Sequence, residues 1–411
     1  MSDLSSLSIF AANDDQIKES WRRTYGAWGK PANLTPEQYQ LRNKHLAALE
    51  ASKDGKVITW VLAPRDNPTT VNYMCSCETY RREGYVWYRS STGQSDKKPL
   101  SKSVTCYAVA SVFTPKEKRG NGYAKHMMRL LHWVIADESL LPKQFPVEWG
   151  VPPPKVSNAG NGLFSTLWSD TGDLYAQCGP VPADRDGWVL VSPKSTIWGV
   201  EAVPAAHEGG LNGDYCWLNR TSLSVLWEKD TSSIKCSSPE FISKAQTSFT
   251  FLPDNGVAAF QHGRIEHLVD RLEIQEFGVV LGANQLVDNT LTNKTAFAAW
   301  VVEEESDPNA MGTNPADSLR TLLITRLESR AEDFGLLFKA IVSIAKKYGM
   351  KRIETYNLAP DLHAVAASLG GEHEMRKIHL SAVKWYGQEQ VTSEAETSEV
   401  AWLHNERFCW C

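Results

Sequence analysis

The run Val112-Phe113-Thr114-Pro115-Lys116-Glu117-Lys118-Arg119-Gly120-Asn121-Gly122-Tyr123-Ala124 is where residue types and spacing first promise chemistry. A β-rich segment ends at Thr114, a turn carries two glycines two apart, and a helical pattern starts at Tyr123. Backbone N–H groups of such a turn and of the first helical turn converge on one point and carry partial positive charge. Gly120 and Gly122 lack the Cβ atoms that would hold a phosphate off that surface. Arg119 can add a charge-assisted hydrogen bond, and Ala124 keeps the helix start thin. The arrangement suits a pyrophosphate. A dinucleotide fingerprint needs a third glycine and a P-loop needs G-K-[ST], and both are missing here. A glycine-bearing strand-to-helix turn without a ligand is the alternative reading.

The elements that must hold this turn follow from periodicity and capping. Residues 7–13 read as a strand and 14–29 as a helix stopped by glycines. A second helix starts with Thr35 as N-cap, Pro36 at its first position and Gln38 closing a capping box, and runs to about residue 53. Residues 56–64, 71–83, 85–91 and 103–114 are rich in β-branched and aromatic residues and read as strands, with Gly84 separating the middle two. The helix after the turn carries Met127, Leu130, Leu131 and Val134 at helical spacing. Residues 140–162 form a proline-rich loop, 164–179 a helix ending at Gly179, and 187–193 a strand. The second half repeats the layout. Strands at 295–306 and 318–329, joined by a polar loop from Asp307 to Asp317, precede a helix at 331–349. A strand, a short helix and a last strand follow, then an acidic stretch (388–399) and a strand-like terminus. The expected fold class is α/β, mixed α and β, with two mostly antiparallel sheets. The expected domains are 1–202 and 241–411, with 203–240 as a linker or crossing segment.

Composition narrows the function classes. The 411 residues suffice for two domains. A formal net charge of -5 gives no global field toward nucleic acid or an anionic membrane, so neither is an expected partner. No apolar run approaches the roughly 18 residues of a membrane span, and residues 1–15 lack a basic, apolar leader. A cytoplasmic location is expected. The eight cysteines are dispersed and expected to be reduced; the pairs Cys75/Cys77 and Cys409/Cys411 lack the further ligands a zinc site needs. No metal is expected. His126 and His132 read as packing or solvent residues.

The spacing Arg119, Gly122, Ala124 matches R-x-x-G-x-A. Here the chain resembles the GNAT acetyltransferase superfamily, whose pyrophosphate loop is Q/R-x-x-G-x-G/A between its fourth strand and the next helix. The resemblance covers roughly residues 5–200 in element order. It implies acetyl-CoA as co-substrate, bound by Arg119, Gly120, Asn121, Gly122, Tyr123 and Ala124. It implies that Val112, Phe113 and Thr114 hold the pantetheine arm as an added strand would. It also implies two GNAT-like domains, the second degenerate. Leu174-Tyr175-Ala176-Gln177-Cys178-Gly179 matches the spacing of the family's F-Y-x-x-x-G, so Tyr175 becomes the candidate proton donor to the departing thiolate. A core tyrosine at helical spacing is the other reading. The strand before the loop carries no acidic residue, so the base some relatives place there is missing. In the second half the corresponding place reads Arg330-Ala331-Glu332-Asp333-Phe334-Gly335, whose acidic pair would repel a pyrophosphate; one acetyl-CoA per chain is expected.

An amine with a pKa of about 10.4 must lose a proton before it attacks. Asp170, Glu148 and Glu78 are candidates to hold the cation and pass the proton on, each an ordinary surface or cap carboxylate otherwise. The segment around Leu174, the degenerate second half and the terminal run Trp402–Trp410 resemble the fungal lysine N-acetyltransferases. That resemblance implies free L-lysine as acceptor, acetylated on its side-chain amine by direct attack in a ternary complex. Glu406 and Arg407 would then be acceptor contacts, with an edge strand capping the second sheet as the alternative. A protein or polyamine acetyltransferase, and a non-catalytic acyl-CoA-binding protein, are the rival readings.

Overall fold

The computed structural model describes residues 3–89, 100–182, 185–191, 193–203, 215–238, 245–282, 295–305 and 319–411. The first sheet begins in sequence order. Strands β1 (Leu7–Ala11), β2 (Val57–Pro64), β3 (Cys75–Tyr88) and β4 (Leu100–Phe113) pair antiparallel, and β5 (Phe164–Ser169) lies parallel to β4. Helices α1 (Asp14–Thr24) and α2 (Pro36–Ala48) link β1 to β2, and α3 (Tyr123–Ile135) links β4 to β5. The α2 start forms as the sequence predicts: Gln38 N–H donates to Thr35 Oγ1 at 3.2 Å and Thr35 N–H to Gln38 Oε1 at 2.8 Å.

After β6 (Val189–Leu190) the chain crosses over. β7 (Lys194–Gly199) enters a second sheet, followed by β8 (Tyr215–Leu218) and α4 (Arg220–Cys236). β9 (Thr247–Phe251) returns to the first sheet against the far half of β3. Next come α5 (Phe260–Arg264), α6 (Glu266–Leu272), β10 (Gly278–Leu281), β11 (Phe297–Glu305) and β12 (Leu319–Glu328). Helix α7 (Ala331–Lys347) joins β12 to its parallel neighbour β13 (Arg352–Tyr356). Then α8 (His363–Ser368) and β14 (Glu372–Met375) complete the second sheet, whose order is β14-β7-β13-β12-β11-β10-β8. The last two strands go back: β15 (Leu380–Trp385) lies between β5 and β6, and β16 (Val400–Trp402) pairs with β9.

Both sheets are therefore mixed and mostly antiparallel, each with a strand–helix–strand unit around a parallel pair. Sheet membership cuts across the division at 202 and 241 expected from sequence, because β7 crosses one way and β9, β15 and β16 the other. The reason is apolar area: Phe164, Phe249, Phe251 and Trp385 from the first sheet share one buried cluster with Val301 and Leu322 from the second and Ile341 of α7. A separate cluster seats Met127, Leu130 and Leu131 of α3 on Trp60, Leu62 and Tyr107 of the first sheet.

Three local readings are corrected. Residues 164–179 are not a helix but strand β5 plus a short 3-10 turn, Leu174–Gln177. Phe164 to Leu167 are all buried, and a run covered on both faces cannot be told from a buried helix by periodicity. The two strands expected around Gly84 are one strand; a Cβ there would come within 2.8 Å of Phe164 Cζ, so glycine is a packing requirement rather than a break. The segment 203–240 carries β8 and α4 instead of serving only as a linker. The polar loop from Asp307 to Asp317 lies outside the described residues.

Candidate active site

The first half of the site is an opening between two parallel strands. β4 and β5 pair from Cys106↔Phe164 to Val109↔Leu167 and no further, although β4 continues to Phe113. A bulge explains the divergence: Ser111 has a left-handed φ of 55° and the register against β3 slips between Ser76 and Glu78. The β5-facing edge of Val112 and Phe113 thus has no strand partner among the described residues, which leaves backbone groups able to bind an extended ligand.

Beyond Thr114 comes a short 3-10 turn, Lys116–Lys118, and then the two glycines, at φ 82° (Gly120) and 77° (Gly122). Both are conformations that side-chain-bearing residues rarely adopt. Gly122 is the N-cap of α3 and makes no side-chain cap hydrogen bond, and a helix N-terminus directs N–H groups and partial positive charge toward an anion. The turn is tied down from within. Arg119 Nε donates to Thr114 O at 3.0 Å, and Asn121 Nδ2 donates to the carbonyls of Lys118 and Arg119 at 3.2 Å each. No heavy atom lies within 4 Å of a Cβ built on Gly120, and only Leu4 Cδ1, at 3.7 Å, approaches one on Gly122. Tyr123 and Ala124 are half-buried at the helix start. The cradle has the shape and donor chemistry of a pyrophosphate site. The matching place in the second sheet does not: Arg330 is occupied by Glu332 and Asp333, at 2.8 and 2.6 Å.

The second half is a cavity of about 440 Å³ that begins at the bulge, with Ala110, Ser111 and Trp168 in its wall. Helices α1 and α2 supply Trp21, Tyr39 and Arg42; the α5–α6 pair supplies Phe260, Arg264 and His267; β11 supplies Glu303 and Glu304. The C-terminal segment closes it with Arg407, Trp410 and Cys411. The Cys409 and Trp410 carbonyls of this segment accept from Arg82, and Gln261 Nε2 donates to the latter at 2.6 Å. Another cavity, of about 400 Å³ and lined by Lys56, Arg81 and Asp254, includes neither the bulge nor the glycine turn.

The charges in the larger cavity are unequally matched. Glu303 accepts from Arg407 at 2.6 Å; burial would raise its pKa, but Arg407 and Arg264 hold it below the ordinary carboxylate value. Glu304 is held by Arg271 and, at 3.0 Å, by Arg320. Asp170 accepts from the His379 N–H at 2.8 Å. His379 is pushed down by burial and by Arg407, so its ring favours the neutral form. Glu78 differs: its Oε2 accepts from two hydroxyls, Ser111 at 2.8 Å and Tyr80 at 3.3 Å, and although the Trp21 side chain and the Arg42 charge also favour its ionised form, burial dominates and raises its pKa.

Of the residues singled out by sequence, Glu78 and Asp170 line this cavity, while Glu148 and Glu406 do not. Glu148 is exposed on a 3-10 turn, Val147–Trp149. Glu406 is buried in an ion network, 2.9 Å from Arg326 Nη1 and accepting from Leu327 N–H at 2.7 Å. Tyr175 stands elsewhere around the end of β4. It is half-buried, packs edge-on against Trp188, and neighbours Cys75, whose Sγ accepts from Thr114 Oγ1 at 3.3 Å. Burial raises the Tyr175 pKa, so the phenol keeps its proton. Sequence reasoning missed Arg42, Arg264, Glu303 and His379, which lie on four separate elements with no shared motif. All eight cysteines are free thiols. Among the described residues no cluster of three ligating side chains could hold a metal, and no helix is long and apolar enough to cross a membrane.

Residues 200–411 match a family model described as the LYC1 GNAT-like C-terminal domain. A curated protein named lysine acetyltransferase from Yarrowia lipolytica is 25% identical over 200 residues, 48% of this chain. The match spans 44% of that relative's length. Among solved structures, a probable N-acyltransferase from Enterococcus faecalis superposes with a TM-score of 0.51 at 10% identity, covering 95% of this chain and 74% of its own. A GCN5-related N-acetyltransferase from Anabaena variabilis gives 0.50 at 10% identity, with 93% and 73% covered.

Proposed function

The chain belongs to the family of the LYC1 GNAT-like C-terminal domain, and from that premise we propose that it is an acetyl-CoA-dependent N-acetyltransferase acting on the side-chain amine of free L-lysine. The observation that carries the reading is the adjacency of the β4–β5 divergence to a cavity lined by both cations and carboxylates. The name of the Yarrowia relative supports lysine as the acceptor.

Acetyl-CoA supplies the acetyl group as an activated thioester. The turn from Arg119 to Ala124 binds its pyrophosphate, and Val112, Phe113 and Thr114 bind its pantetheine arm. Glu78 takes a proton from the acceptor's ammonium group, and its raised pKa makes it a better proton acceptor than a surface carboxylate. The freed amine attacks directly in a ternary complex: the N–C bond forms, the C–S bond breaks, Tyr175 gives the departing sulfur its proton, and the second proton that the nitrogen sheds on becoming an amide passes through solvent to restore the phenol. A phenol kept protonated by burial suits that last role.

The test is CoA release with L-lysine, spermidine or a lysine-containing peptide as acceptor. The expected outcome is turnover on lysine alone, reduced about 10²-fold in kcat in Tyr175→Phe with acetyl-CoA binding retained. Turnover only on spermidine or the peptide would overturn the acceptor. Binding of acetyl-CoA without turnover on any amine would make the protein an acyl-CoA-binding module.

A further inference from the structure

We infer that Arg264 anchors the acceptor's carboxylate, so that the cavity selects a free amino acid over a polyamine or a lysine inside a protein; this rests on the acetyltransferase reading above.

Arg264 closes the five-residue helix α5 and lines the cavity with part of its surface open. Among the described residues no carboxylate lies within ion-pairing distance of it and no hydrogen bond from its guanidinium is formed. The carboxylates that could serve it are engaged: Glu303 with Arg407, Glu304 with Arg271 and Arg320, and Asp170 with the His379 N–H. Arg407 adds a like charge, itself stacked 3.8 Å above the Trp410 ring and fixed on Glu303. Glu303 lies in the field of Arg264 but is bonded to Arg407; burial, with Arg407 beside it, outweighs that attraction and pushes the Arg264 pKa down to about 10. Arg42, on the same wall, is stacked 4.7 Å from the Tyr39 ring centre, its Nε buried without a hydrogen-bond partner.

A desolvated guanidinium without a counter-ion costs free energy that a bound carboxylate returns through a bidentate, charge-assisted pair. Beside the bulge where the acetyl group arrives stands Glu78, a carboxylate bonded to two hydroxyls, with Trp21 and Arg42 near it but no ion pair among the described residues. An unpaired acid near the reacting end and an unpaired guanidinium away from it complement a molecule with an amine at one end and a carboxylate at the other. A polyamine would bring a second cation against Arg264, and a lysine within a protein has no free carboxylate to offer.

The test compares L-lysine, 6-aminohexanoate, which keeps the carboxylate but lacks the α-amine, and cadaverine, which lacks the carboxylate. In Arg264→Gln, KM for lysine and for 6-aminohexanoate should rise about 10- to 100-fold, the effect of losing a hydrogen-bonded charge pair. The preference for lysine over cadaverine should collapse by the same factor. Arg264→Lys should recover part of it, which a merely misfolded variant would not. Equal losses on all three acceptors, or an unchanged lysine KM in Arg264→Gln, would overturn the proposal. Calorimetric binding of lysine to the full chain saturated with CoA keeps the two readings apart. If no amine is turned over, the acetyltransferase reading fails. Lysine bound by the native chain and about tenfold or more weaker in Arg264→Gln would still support the anchor; no binding, or unchanged affinity, would sink it.

Discussion

At the residue scale the chemistry turns on which carboxylate stays free of a cation. Asp170 and Glu78 were both legible as candidates because they flank the loop in sequence, but their surroundings were not. Asp170 serves the His379 backbone, 209 positions away, whereas Glu78 is half-buried, bonded to two hydroxyls, and in no ion pair among the described residues. A base must be ionised to work, and burial raises the Glu78 pKa, so activity should fall with decreasing pH at a value above the ordinary 4.5 of glutamate. Glu78→Gln should lower kcat about 10²-fold and erase that acid limb while leaving the acetyl-CoA KM nearly unchanged. A pH–rate profile of the variant that keeps the limb would assign the base elsewhere. Arg264 shows the opposite limit of sequence reading: it lies in a short run, Phe260 to Arg264, with no motif to draw attention to it.

At the element scale, β4 and its glycine turn were readable because their determinants are local. A β-rich run, two glycines that adopt positive φ and an apolar helical stripe need only a dozen consecutive residues. β3 and β5 were misread for the reverse reason. Gly84 looked like a break, yet its missing Cβ is what lets Phe164 approach, a fact that belongs to the neighbour across β4. Gly84→Val should therefore destabilise the fold by about 1–3 kcal/mol through overpacking, seen as a lower midpoint in urea unfolding. Stability unchanged by this substitution would show that Phe164 and Cys106 can yield without strain.

At the scale of the whole molecule the two sheets hold each other closed. β15 inserts between β5 and β6, β16 pairs with β9, and the last residues reach the cavity through a series of buried ties. Glu406 is one such tie, joining the C-terminal segment to Arg326 and the Leu327 N–H of the second sheet. Its role as an acceptor contact, suggested by sequence, gives way to one of holding Arg407 and Trp410 in the cavity wall. Glu406→Ala leaves the buried Leu327 N–H without a partner, while Arg326 keeps Asp230 and Glu328, and should cost about 1–3 kcal/mol. Thermal melts should show the loss, and KM for the amine should rise with little change in acetyl-CoA affinity, because the glycine turn belongs to the first sheet. A variant that loses acetyl-CoA affinity as strongly as acceptor affinity would contradict that division of labour.

The sequence by itself determined the parts whose physics is short-ranged: the capped helix at Thr35, the strand–glycine turn–helix conformation from Val112 to Ala124, and the β12–α7–β13 unit of the second half. Periodicity, capping and backbone freedom act over a few residues and leave a signature there. Tertiary structure alone decided the exchange of strands between the sheets, the reassignment of Glu406 from ligand contact to tie, and the assembly of Arg42, Arg264, Glu303 and His379 around one cavity. Those outcomes depend on which buried faces meet and which charges find partners across hundreds of residues, and no local pattern encodes that choice.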